Sequence, residues 1–357
     1  MANMDFSKKL LRWSAKENTR QMPWKGEKNP YRIWLSEIIL QQTRVEQGRA
    51  YYEKFIRRYP GLKSLAVAKE KEVFKLWEGL GYYSRCRNLL AAAKIIVKEH
   101  RGSFPADYEK ILALPGIGPY TAAAIASFAF SLPYAVVDAN VQRVLSRYFG
   151  IRLPVKSAKD KKLFQMLADA LLDKKDPGKY NQALMDFGAL ICKPANPLCT
   201  SCVQSKNCQA FLHHWVDLLP AKEKMPARKE RWFYYFIVDA GDGSYWIRER
   251  RGNDIWKNLY EFVLWENGKL IPHQQIGKCG FVQKNFGKTG FRILRISSEI
   301  IQTLTHQTIH GCFVHIRLKK QTGQLQDYRR VTAAELDQYP FPGLISSYLK
   351  SALFPKT

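Results

Sequence analysis

Residues 112–143 read LALPGIGPYTAAAIASFAFSLPYAVVDANVQR, and the organisation of the whole chain follows from this stretch. It opens on the apolar end of one helix, turns through Leu114-Pro115-Gly116-Ile117-Gly118, and resumes as a second helix rich in alanine. The order predicts helix, hairpin, helix. Two glycines around one apolar residue let the chain turn sharply and bring backbone N–H groups to a surface, where the next helix presents its positive dipole end. A phosphate fits such a turn, although Gly-Ile-Gly by itself also serves as a plain helix connection. Further on, the apolar run Tyr134-Ala135-Val136-Val137 ends in Asp138, after which Val141, Val144, Leu145 and Tyr148 repeat at helical spacing. Asp138 therefore falls at a helix N-cap, a role worth about 1 kcal/mol. A carboxylate fixed there can also face positive charge developing on a bound nucleotide.

Upstream, residues 4–19 predict an amphipathic helix, and Arg20-Gln21-Met22-Pro23-Trp24 a loop carrying an aromatic and a cation. The next helix, expected from Tyr31 to Arg44, places Glu37 on a face with Ile33, Trp34, Leu40 and Gln41. A carboxylate on a mostly apolar face is costly to ionise once buried, so its pKa is expected to rise, as a general acid near neutral pH requires. On an arbitrary helix such a glutamate would only pair with a nearby arginine. Gln41, Gln42 and Thr43 close the helix with amide and hydroxyl groups, on composition alone a polar helix end, though such groups can also read base edges or fill the gap left by an extruded base. Residues 46–74 predict two core helices split at Tyr59-Pro60-Gly61, and Leu76–Tyr83 puts two glycines and two tyrosines in one turn.

At 357 residues the chain can hold two domains, each with its own core. Lys and Arg number 57 against 31 Asp and Glu, a net charge of +26, of which +17 falls in residues 1–225 and +9 in 226–357. Such an excess argues for a polyanionic partner, and with no basic amphipathic anchor in view nucleic acid leads over a membrane surface. No apolar run approaches the ~20 residues that span a bilayer, and Met1–Arg20 lacks a signal-peptide core, so a soluble cytoplasmic protein is expected.

The seven cysteines stand at 86, 192, 199, 202, 208, 279 and 312. Four of them crowd into residues 192–208 with gaps of six, two and five, which suits a metal centre in a reducing compartment rather than a secreted disulfide scaffold. Four thiolates so arranged suit zinc or an iron–sulfur cluster, and spacing alone does not separate them. Lys193 and Lys206 lie in the same loops. Residues 215–230, proline-bounded and poor in apolar side chains, predict a linker. Beyond it, Trp232–Val238, a turn at 239–243 and Tyr245–Arg248 predict a hairpin.

LPGIGPYTA followed by VVDANVQRVL resembles the helix-hairpin-helix, Gly/Pro-Asp motif of base-excision DNA glycosylases. With Met22-Pro23-Trp24, WLSEIILQQT at 34–43, LWEGLGYYSRCRNL at 76–89, NQALMDFGALIC at 181–192 and the cysteine spacing, the likeness covers nearly the whole chain and is to the adenine-specific DNA glycosylases. The resemblance implies an α+β multidomain fold. An all-α region (1–214, helix-hairpin-helix about 110–125, [4Fe–4S] loop 192–208) and a linker (215–230) precede a Nudix-like α/β domain (231–357) that recognises 8-oxoguanine. The segment Asp254–Phe262 resembles a Nudix strand and loop, but the glutamate-rich helix by which Nudix hydrolases hold magnesium does not follow, so a hydrolase role there is not expected.

By the same resemblance Glu37 protonates adenine, Asp138 stabilises the sugar cation, and Asn140 and Tyr120 help place them. Arg20, Met22, Trp24, Val45 and Gln182 line the base pocket. Gln42, Thr43, Tyr82 as an intercalating wedge, Gly116, Gly118, Thr305 and His306 contact DNA, and Cys192, Cys199, Cys202 and Cys208 hold the cluster. Leu304 departs from the aromatic residue that opens the family's Phe-Ser-His loop. The implied substrate is duplex DNA with adenine opposite 8-oxoguanine or guanine, handled by a monomer at the bacterial nucleoid. Two alternatives stand beside this. An endonuclease III-like relative nicks DNA at oxidised pyrimidines through a lysine Schiff base, but Tyr120 occupies the lysine position and a phenol forms no imine. A non-enzymatic iron–sulfur sensor on DNA has no use for the paired acids Glu37 and Asp138.

Overall fold

The computed structural model describes residues 2–154, 157–221, 227–239, 241–287, 290–319 and 325–352; residues 222–226 of the expected linker and Ala240 of the expected turn lie outside them. Two compact units emerge: Met1–Ala68 with Arg87–Lys224, and Lys69–Cys86 with Met225–Thr357. No shift of composition marks Lys69–Cys86 as part of the second unit. Its membership is decided by tertiary contacts alone.

The helices before the sheet are α1 (Ala2–Glu17), α2 (Pro30–Leu40), α3 (Val45–Arg58), α4 (Leu62–Ala66), α5 (Glu70–Trp77), α6 (Ser84–Glu99), α7 (Tyr108–Leu112), α8 (Pro119–Phe130), α9 (Ala139–Phe149), α10 (Ala158–Leu171), α11 (Pro177–Leu190) and α12 (Gln209–Leu212). Two expectations need correction. The helix bearing Glu37 ends at Leu40 rather than Arg44, because Gln42 adopts a left-handed backbone (φ 56°) and the chain turns there. Residues 46–74 fall in three helices rather than two. The second break, at Val67-Ala68-Lys69, has no proline or glycine to announce it.

In the first unit α8 is the central helix: Thr121 through Ser127 are buried without interruption. Small side chains on all its faces let neighbours approach closely. One core joins Phe6 and Trp13 of α1, Ala124 of α8, Val141 and Leu145 of α9, Phe164 of α10, and Tyr180 and Phe187 of α11. Between α8 and α9 the segment 131–138 forms neither helix nor strand, so its polar backbone must find side-chain partners. Buried Asn181 supplies them: its Oδ1 accepts from Val136 N–H at 3.1 Å and its amide donates to Tyr134 O at 2.9 Å. Gln165 donates to Ala135 O at 3.0 Å. That bracing fixes the point at which α9 and its cap begin.

The second unit is built on one eight-stranded sheet: β1 (Lys229–Asp239), β2 (Ser244–Glu249), β3 (Tyr260–Glu261), β4 (Val263–Asn267), β5 (Phe291–Ile296), β6 (Ile300–Thr303), β7 (Gln307–Leu318) and β8 (Arg329–Thr332). The main path runs β3-β2-β1-β7-β5, with β4 on β1, β6 on β7 and β8 on β2. β1 and β7 pair in parallel over the full length of β1; the other pairs are antiparallel. The predicted hairpin is β1–β2. Alternation along β1 sends Phe233, Tyr235 and Ile237 to one core and Tyr234, Phe236 and Val238 to another. Helices α13 (His273–Ile276) and α14 (Gly280–Phe286) carry no carboxylate, whereas α15 (Ala333–Leu336) has Glu335 and α16 (Gly343–Ala352) has none. None of them is the acidic helix of a Nudix hydrolase.

Candidate active site

Asn29 caps α2 by accepting from Tyr31 N–H and Arg32 N–H, and Pro30 sets the first turn, so the helix starts at a defined residue. From there Tyr31 and every residue from Ile33 to Ile39 are buried, Glu37 among them at 7 % exposure. Burial pushes the Glu37 carboxyl up from its ordinary 4.5 to about 7; a hydrogen bond from Tyr120 opposes the rise and the charge of Asp138 adds to it. Tyr120 Oη donates to Glu37 Oε2 at 2.7 Å. Burial and the two nearby acids hold that phenol well above its ordinary value, so it keeps its proton and acts as donor. The acid therefore titrates near neutral pH, raised as the apolar helix face predicts.

Asp138 sits where the periodicity puts it, at the N-cap of α9, with Oδ1 accepting from Val141 N–H at 2.7 Å. Its other oxygen accepts from Asn140 Nδ2 at 2.7 Å. Burial raises the Asp138 pKa, against bonds from Val141 and Asn140 and the charge of Arg143. Arg143 donates to Asn140 Oδ1, Gly188 O and the Cys192 carbonyl, each at 2.8 Å. A methyl group on Gly188 would stand 2.7 Å from Asn140 Cβ, so only glycine lets α11 approach the Asn140 segment this closely. Glu37 and Asp138, far apart in sequence, thus reach one centre and both act on Tyr120.

Beside Glu37 lies a cavity of about 320 Å³ whose walls include Trp24, Lys25, Ser36, Phe128 and Gln182. Of the expected base-pocket residues, Trp24 and Gln182 form its wall; Arg20, Met22 and Val45 do not. Arg20 is held nearby through a residue that the sequence did not single out. Asp186, fully buried, pairs with Arg20 at 3.0 Å and Lys25 at 3.1 Å and accepts from Asn18 at 2.8 Å and Gln182 at 3.0 Å. Gln182 and Asp186, four apart on α11, are the only local hint of this node. Everything else in it comes from over 150 residues away.

The hairpin turns as expected. Gly116 takes φ 75°, and a Cβ there would meet Asn88 Cβ at 2.5 Å. Gly118 caps α8 without a side-chain bond, and nothing lies within 4 Å of where its Cβ would be. That leaves an open helix N-terminus facing outward. Gln42 and Thr43 form the turn after α2. In the second unit, Tyr82 is 46 % exposed with φ 46°, and Leu304–His306 form the tight β6–β7 connection closed by Leu304 N–H to Gln307 O at 2.8 Å.

The four clustered cysteines are free thiols. Cys192 Sγ accepts from Arg147 Nη1 of α9 at 3.5 Å, and Cys202 Sγ accepts from Gln204 N–H at 3.4 Å. Burial, with the other three thiols close by, pushes Cys202 up to about 12. Among the described residues no three His, Cys, Asp or Glu side chains converge on a single ion position. Four thiols with no histidine or carboxylate among them are a donor set that both a zinc ion and an iron–sulfur cluster take.

Fold and site together define a class. Residues 35–168 match the HhH-GPD superfamily of base excision DNA repair proteins, and residues 234–351 match the NUDIX domain. A thermostable thymine-DNA glycosylase superposes with a TM-score of 0.54 at 30 % identity, over 59 % of this chain and 97 % of its own. A trapped endonuclease III–DNA covalent intermediate shares the fold at TM-score 0.51 and 19 % identity, over 60 % and 99 %. The adenine DNA glycosylase of Buchnera aphidicola subsp. Acyrthosiphon pisum is 37 % identical over 313 residues, 85 % of this chain and 88 % of that protein. Those of Schizosaccharomyces pombe and Homo sapiens are 39 % and 41 % identical over 216 and 214 residues, 58 % and 57 % of this chain and 47 % and 39 % of theirs. The chain belongs to the adenine DNA glycosylase family.

Proposed function

We propose that this DNA N-glycosylase removes adenine paired with 8-oxoguanine or guanine in duplex DNA, by acid-catalysed hydrolysis of the N-glycosidic bond. The observation that carries the reading is a buried Glu37 with a pKa of about 7, bonded to Tyr120 and electrostatically coupled to Asp138. An adenine inside the duplex is out of reach, so the nucleotide is flipped out into the cavity beside Glu37. Glu37 gives its proton to N7, adenine leaves with the bonding electron pair, and the sugar becomes cationic. Asp138, oriented by Val141 and Asn140, faces that charge, and water adds at the anomeric carbon as a proton returns to the site. Asp186 fixes Gln182 in the pocket wall and holds Arg20 beside it.

Gly116 and Gly118 hold a phosphate at the N-terminus of α8, Gln42 and Thr43 fill the gap left by the flipped base, and Tyr82 is the wedge. Thr305 and His306 contact the 8-oxoguanine strand. Cys192, Cys199, Cys202 and Cys208 hold a [4Fe–4S] cluster, which when bound ties the 192–208 loop together through four thiolates. The reading takes the enzyme to work as a monomer on nucleoid DNA in the cytoplasm, and the net charge of +26 suits that partner. Borohydride trapping on damaged duplexes separates this chemistry from a lysine Schiff base: no covalent capture is expected, and efficient capture would overturn the monofunctional mechanism.

A further inference from the structure

The turn that presents Tyr82 is fastened at both ends to the C-terminal sheet unit. At one end stands Glu78, directly after α5, with a side chain only 17 % exposed. Its Oε1 accepts from Phe341 N–H at 3.1 Å and from the Ser346 hydroxyl at 2.5 Å, while Oε2 pairs with Lys75 at 2.7 Å. Lys75 also donates to Tyr339 O at 3.3 Å, and Lys71 lies 3.5 Å over the Tyr339 ring. At the other end the Tyr82 hydroxyl meets the Thr305 hydroxyl at 2.6 Å.

Between these anchors the backbone is unusual and well braced. Gly79, Gly81 and Tyr82 all have positive φ, at 93°, 75° and 46°. Trp77 Nε1 donates to Gly81 O at 3.0 Å, Gly79 N–H to Tyr83 Oη at 3.2 Å, and Arg85 to Gly81 O at 3.3 Å. A left-handed tyrosine is strained, and persists only where its surroundings fix it. A segment so braced moves as one piece, and its position is set by what holds Glu78.

We propose that Glu78 is a positioning residue for mispair recognition. It clamps the Tyr82 turn to residues 341–346, so that the sheet unit reading the base opposite adenine also presets the wedge. The inference rests on Tyr82 acting as the wedge, as proposed above. It is tested in the full-length protein by a double-mutant cycle on single-turnover kcat/KM for adenine excision opposite 8-oxoguanine, with thermal melting of each variant to verify folding. Tyr82→Ala and Glu78→Ala are each expected to lower it about tenfold, the order expected for a lost aromatic stack. Because Glu78 acts through Tyr82, the double variant should be no slower than Tyr82→Ala alone. Glu78→Gln keeps an oxygen for Phe341 and Ser346 and should recover to within about twofold of wild type. Additive losses, no loss in folded Glu78→Ala, or no recovery in Glu78→Gln would overturn the role of Glu78. Wild-type excision by Tyr82→Ala would instead remove the wedge and the inference with it.

Discussion

Replacing Glu37 with glutamine should stabilise the helical unit, and increasingly so as pH rises. The native carboxyl holds its proton to about 7, whereas the unfolded chain releases it near 4.5. Between those values the folded state binds more protons, so wild-type stability falls with rising pH, at up to about 1.4 kcal/mol per pH unit, and levels off above 7. Below 4.5 both states are protonated and the penalty vanishes. At 7 % exposure there is little solvent screening to discount. The full penalty is about 3 kcal/mol, of which roughly 2.5 kcal/mol develops between pH 5 and pH 8. Glutamine does not titrate and fills the same space. Urea unfolding of both proteins at pH 5, 6, 7 and 8 should therefore show the stability gap widening by that amount in favour of Glu37→Gln. A gap constant across the series would mean that Glu37 is ionised in the folded protein and would refute the reasoning.

Asp138→Asn keeps a side-chain acceptor for Val141 N–H, so thermal stability should change by less than about 1 kcal/mol while the single-turnover excision rate falls by roughly 10²–10³-fold. Asp186→Ala strands two cations next to buried polar groups and should cost about 3 kcal/mol of stability, read by chemical denaturation. Tyr120→Phe removes a bond that holds the Glu37 pKa down, so the alkaline fall of the excision rate should move to higher pH, as a pH–rate profile would show. Cys199→Ser should lower iron content below about four per chain, measured by chelation and visible absorption.

What the sequence disclosed was what short spacing encodes. The hairpin glycines, the Asp138 cap and the apolar run around Glu37 each lie within a few residues of what makes them intelligible, and each stands in the structure where periodicity puts it. Side chains whose meaning depends on distant partners stayed hidden. Asn181 braces a segment 45 residues away and Asp186 gathers cations 166 residues away, so neither has a local signature. The same holds for Lys69–Cys86, which reads as one more helical stretch and packs with the sheet unit because Glu78, Lys75 and Lys71 find partners beyond residue 338. The helix break at Val67-Ala68-Lys69 had no breaker residue to reveal it.

The mechanism turns on a protonated Glu37 that releases the flipped adenine from its sugar. The most direct measurement incubates excess enzyme with an 8-oxoguanine:adenine duplex across pH 6 to 9, treats it with hot alkali, and follows cleavage at the adenine position. Wild type should cleave there, with a single-turnover rate falling about tenfold per pH unit above pH 7, while Glu37→Gln binds the duplex and leaves no alkali-labile site. A substantial rate from the glutamine variant, or a wild-type rate that holds steady to pH 9, would contradict the account.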